Sequence, residues 1–100
     1  MATTTKVLAR TAAALTSTTL YTVPSATTTV ASNIVVTNSA ASAATFTITL
    51  NSVDLFKDVA IAANSVAMFD LKQVLGATQI IAGLASAITV NFHISGVEIA

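Results

Sequence analysis

Thr45-Phe46-Thr47-Ile48-Thr49-Leu50 alternates threonine with a large apolar residue over six consecutive positions. Side chains along an extended strand point alternately to opposite faces. Phe46, Ile48 and Leu50 therefore share one face and the three threonines the other. β-Branched threonine suits a pleated, half-solvated surface, so the run reads as a strand with one buried side. Asn51-Ser52 is a turn candidate, and Val53-Asp54-Leu55-Phe56 resumes an extended run. Residues 43–59 are predicted to form a β-hairpin.

The same period of two extends outward in both directions. Leu20-Tyr21-Thr22-Val23 is a strand stopped by Pro24, which has no N–H for a ladder. Thr27–Asn38 is a long strand with Val30, Ile34 and Val36 on one face. Small polar residues from Asn38 to Ser42 make a loop. Val66–Phe69 is a further strand. Asp70 can then cap a short helical turn, with Gln73 at the capping-box position, Leu71, Val74 and Leu75 buried, and Gly76 terminating it. Thr78–Leu84 and Ile88–Ile99 complete the strands. In the last one the apolar parity changes after Gly96, which predicts a β-bulge there. Phe46 and Phe92 fall on core faces, while Phe56 and Phe69 fit either a second core face or an interface.

The first residues differ. Thr3-Thr4-Thr5 and Ala12-Ala13-Ala14 are low in bulk, with Val7, Leu8 and Leu15 as the only anchors. Residues 1–17 are expected to be an N-terminal arm, loose or docked on a neighbour, and residues 18–100 one domain. The fold class is all-β: a single sandwich of seven or eight short strands, jelly-roll or immunoglobulin-like, with one short helical turn.

Composition narrows the function. The chain is 54% hydrophobic but only 8% charged, with zero formal net charge. A freely diffusing monomer ordinarily uses charge to stay soluble and separate. A surface of Thr, Ser and Asn costs less to desolvate than one of Lys and Glu, so the chain is expected to contact other proteins and its own copies. Lys6, Arg10, Lys57 and Lys72 are scattered, which argues against nucleic-acid binding. The absence of cysteine excludes disulfides and thiolate metal sites. No signal peptide is expected, since Lys6 and Arg10 interrupt any apolar run near the start. Gln73–Phe92 is uncharged and long enough to span a bilayer, but its polar residues and strand-like end argue against a membrane segment.

Little is available for catalysis. His93 is the single histidine, with Glu98 the only acid near it in sequence. Asp54 and Asp58 flank Lys57 without the glycine turn that a hard-cation loop uses. No phosphate loop, nucleophile elbow or zinc motif is present. The chain is not expected to be an enzyme, and no catalytic, cofactor-binding or metal-ligating residue is assigned.

Several segments together resemble small β-sandwich virion proteins of tailed bacteriophages. These are Leu20-Tyr21-Thr22-Val23-Pro24, Ile34-Val35-Val36-Thr37-Asn38, Phe46–Leu50, Ile61-Ala62-Ala63-Asn64-Ser65 and Phe92-His93-Ile94-Ser95-Gly96-Val97-Glu98-Ile99. That group includes capsid decoration (cement) proteins and head or tail accessory proteins. The turn after the Tyr-Thr-Val-Pro segment often carries glycine in them, and here it is Ser25-Ala26. The resemblance implies a homo-oligomer, often a trimer, on the capsid surface of a virion. Its partner would be the major capsid protein or another virion protein, and it would reinforce the outer lattice. A tail, baseplate or receptor-contacting fibre module is the alternative.

Overall fold

The computed structural model describes residues 3–100. Eight strands run β1 (Thr3–Ala12), β2 (Thr18–Thr22), β3 (Thr28–Asn38), β4 (Ala44–Leu50), β5 (Val53–Ile61), β6 (Ser65–Leu75), β7 (Ile80–Ala85) and β8 (Val90–Ile99). They form two four-stranded sheets, ordered β1-β8-β3-β6 and β2-β7-β4-β5. Every pair is antiparallel, and the first strand pairs with the last, the second with the seventh, the third with the sixth and the fourth with the fifth. That wrapping is the jelly roll, which resolves the choice between the two sandwich topologies.

The β4–β5 hairpin forms where alternation places it, and its turn residues Asn51 and Ser52 both have positive φ, 50° and 67°. Two successive left-handed residues make the turn whose twist matches the strands. Phe46, Ile48, Ile34, Val36, Phe92 and Ile94 are all fully buried between the sheets. Four phenylalanines join the layers. Phe46 lies 6.0 Å from Phe56, 6.2 Å from Phe69 and 6.2 Å from Phe92, centroid to centroid. Phe56 and Phe69 approach to 4.4 Å, and both are half-buried against the core on the side where β5 and β6 meet.

Three features depart from the sequence reading. The expected arm is, from Thr3 to Ala12, the edge strand β1 paired along β8 (Met1 and Ala2 lie outside the described residues). Its small residues suffice because the ladder and two inward side chains, Leu8 and Ala9, hold it. The expected helical turn is absent: β6 continues as strand to Leu75, with Leu71 and Leu75 inward and Val74 outward. Gly76 instead opens a tight turn in which its N–H donates to Gln79 Oε1 at 2.8 Å.

The third departure concerns the bulge. β8 alternates without a break, and Val90, Phe92, Ile94 and Gly96 are all buried. The extra residues lie in the strands beside it. Val7 stands opposite Ser95 and Ala9 opposite Ile94, so Leu8 is inserted in β1. Ala31 stands opposite Gly96 and Asn33 opposite Ser95, so Ser32 is inserted in β3. Across from β3, Gln73 pairs with Ala31 and Asp70 with Asn33, which inserts a residue in β6 as well. The Ser32 insertion moves Val30 off the face of Ile34 and Val36, and Thr29 and Ala31 are buried in its place. Gly96 has a backbone role of another kind. A Cβ there would run into the Val30 carbonyl oxygen and lie 3.0 Å from Leu8 Cδ1.

Candidate interaction surface

Charge placement organises the surface. Of the eight charged residues, seven lie on edge strands: Lys6 and Arg10 on β1, Asp54, Lys57 and Asp58 on β5, Asp70 and Lys72 on β6. The eighth, Glu98, has inward parity on β8 and is tied down there. The outward positions of the central strands are therefore uncharged. On β8 and β3 they include Asn91, His93, Ser95, Val35 and Thr37, and on β4 and β7 they include Thr45, Thr49 and Leu84.

The outer face of the β1-β8-β3-β6 sheet is the more apolar at one edge. Register places Met68, Val35, His93 and Arg10 in one row across the four strands. The next row is Val66, Thr37, Asn91 and Ala12. Met68 is 72% exposed and Val66 56%. Where the bulges line up, Ser32 separates two shallow depressions. One, of about 420 Å³, is bordered by Thr5, Val7, Ser95 and Val97. The other, of about 500 Å³, is bordered by Asp70, Leu71 and Lys72.

His93 and Glu98 are not brought together. They have opposite parity on β8, His93 on the outer face and Glu98 toward the sandwich interior. Glu98 belongs to a clasp between the sheets. The Tyr21 hydroxyl of β2 donates to Glu98 Oε2, and Lys6 Nζ lies 3.2 Å from the same oxygen. A phenol has one proton to give, so the Thr29 hydroxyl, at 2.9 Å, donates to the Tyr21 oxygen. The Tyr21 hydrogen bond, with help from Lys6, holds the Glu98 carboxyl below its ordinary range. Burial, and then the Glu98 carboxylate, push the Tyr21 phenol up.

At the opposite end Asn38 is 2% exposed and uses its full hydrogen-bonding capacity. Its amide nitrogen donates to Ser42 O and Ala62 O, and its oxygen accepts from Ala40 N and the Thr89 hydroxyl. One side chain thus joins three loops. Composition marked this stretch only as a loop, and neither this hub nor the Tyr21–Glu98 clasp is visible in sequence, because their partners are distant along the chain. Among the described residues, of Asp54, Asp58 and Asp70 only Asp58 has a cation nearby, Lys57 at 3.9 Å with both side chains largely exposed, and a pair so placed contributes little. Among the described residues no three His, Cys, Asp or Glu side chains group to hold a metal. Among the described residues no helix is long and apolar enough to cross a membrane. Comparison of the chain with protein-family models, with curated proteins and with solved structures finds no match.

Proposed function

We propose that this jelly roll is a structural protein that works by laying the uncharged central strands of a sheet face on other protein subunits, as a decoration protein does on the outer lattice of a tailed-phage capsid. The observation that carries the reading is the confinement of charge to the edges. Burying a lysine or carboxylate without a partner is costly, whereas threonine, serine and asparagine can exchange water for protein hydrogen bonds. The central strands offer those residues together with Val35 and Leu84. The apolar margin at Met68 and Val66 adds area of the kind that drives association. The resemblance to phage virion proteins supplies the partner class, and jelly rolls are a recurrent architecture of viral capsid domains.

The mechanism needs no chemistry. A sandwich spanning a joint between lattice subunits adds contacts that must break before the joint opens. Rebinding to stripped particles tests the reading. Met68→Asp and Val35→Asp place a charge on the proposed face, and His93→Ala shortens its central side chain. The two aspartate variants should lower occupancy about tenfold or more while the fold persists. Unchanged occupancy for both folded aspartate variants would refute docking through this face.

A further inference from the structure

We propose that copies of this chain join side by side, the β1 edge of one against the β6 edge of the next, with Arg10 of one copy paired to Asp70 of its neighbour. The inference does not depend on what the broad faces bind.

Both edges are open. β1 pairs only with β8 and β6 only with β3, so each presents an unpartnered ladder, and they are matched in length at 10 and 11 residues. The two sides of the sandwich differ in sign. On the β1–β2 side the charges are Lys6 and Arg10, and Glu98 neutralises Lys6, leaving Arg10. On the β5–β6 side stand Asp54, Asp58 and Asp70 against Lys57 and Lys72, a net charge of −1. Among the described residues neither Arg10 nor Asp70 has an ion-pair partner. Both have outward parity on the same sheet at its two opposite edges, and they lie one row apart.

Apolar groups accompany the charges. Val7, 46% exposed, stands beside Arg10 on β1, and Met68, 72% exposed, stands beside Asp70 on β6. A copy displaced by one row along the strands brings Arg10 to Asp70 and Ala12 to Met68. β1 and β6 run in opposite senses within the sheet, so the new neighbours are antiparallel like every other pair. The bulges at Leu8 and near Leu71 interrupt a continuous ladder, so side chains set the register. Because the two edges differ, the contact is head to tail, and successive copies close into a ring or run on as a chain.

Sedimentation of the full-length protein across a concentration series tests this. The wild type should associate, and added salt should weaken the association. Arg10→Glu and Asp70→Arg should each weaken it about tenfold or more, because each sets like charges together. An equimolar mixture of the two variants should associate again, since every contact in an alternating assembly then joins opposite charges. Circular dichroism matching the wild type confirms that each variant is folded. If either fails to fold, Arg10→Gln and Asp70→Asn replace them, and each should weaken association without recovery on mixing. A monomeric wild type, an Arg10→Glu protein that associates like the wild type, or two folded charge-reversal variants that stay apart on mixing would overturn the proposal.

Discussion

All three glycines of this chain have negative φ, while Ala26, Asn51, Ser52, Asp58, Asn64 and Thr78 take the left-handed region. Asparagine tolerates that region, but alanine and threonine do so at a cost of about 1 kcal/mol. Ala26→Gly and Thr78→Gly should therefore each stabilise the fold by about 1 kcal/mol, less the added freedom of the unfolded chain. Equilibrium denaturation measures this, and destabilisation would mean that the turns do not store strain. Gly96 behaves oppositely, because its place is set by a close approach and not by φ. Gly96→Ala forces a methyl against the Val30 carbonyl and Leu8, and should cost about 3 kcal/mol. The clasp predicts a pH dependence. Glu98 is held below its ordinary value of 4.5, so its contribution is present above that value and lost as pH falls through the lower folded pKa. Tyr21 is raised above 10.0, so its contribution is present below pH 10.0 and lost as pH rises through the higher folded pKa. The stability gap between wild type and Tyr21→Phe should be widest between those limits and narrow outside them. A gap independent of pH would mean that the clasp does not couple to folding.

At the level of elements, period two was the informative signal, and it failed wherever a strand gained a residue. The β4–β5 hairpin is local and regular, so alternation and the Asn51-Ser52 turn were enough to place it. β3 was also legible in extent, but not in facing, because the Ser32 insertion reverses parity midway. In β6 adjacent apolar residues at Val74 and Leu75, inside a segment carrying its own insertion, imitate one turn of helix. β1 was unreadable for another reason. Its stability comes from a partner at the far end of the sequence, where Thr3 meets Ile99. The surface carried by these elements was legible only as composition, because which residues share an outer row depends on register. The phenylalanine cluster gives an element-scale test. Phe46→Ala and Phe92→Ala, removing fully buried rings, should each cost about 3–5 kcal/mol. Phe56→Ala and Phe69→Ala should cost less, since both rings are partly exposed, and a double-mutant cycle should show them coupled by about 1 kcal/mol. Because Leu8 and Ala9 are core residues, trypsin should cut at Lys6 and Arg10 slowly in the folded protein. Rapid trimming that leaves a stable remainder would restore the arm.

As a whole the described chain measures 46 × 21 × 17 Å between Cα extremes, an elongated body of nearly square cross-section. The central strands carry no outward charge, which is the feature the proposed contact uses, and seven of the eight charged residues stand on the edge strands. Charged, bulged edges discourage indiscriminate strand addition while leaving a matched pair free to meet. Face contact with a lattice and side contact between copies together describe a layer, which is what a protein that reinforces a particle from outside would form. The direct test is the composition of purified phage particles made with and without an intact copy of this gene. The account predicts the 10.1 kDa chain in many copies per particle, seated by a sheet face on the outer lattice, and particles that open more readily without it. Particles that never contain the chain, or that resist opening equally in its absence, would contradict it.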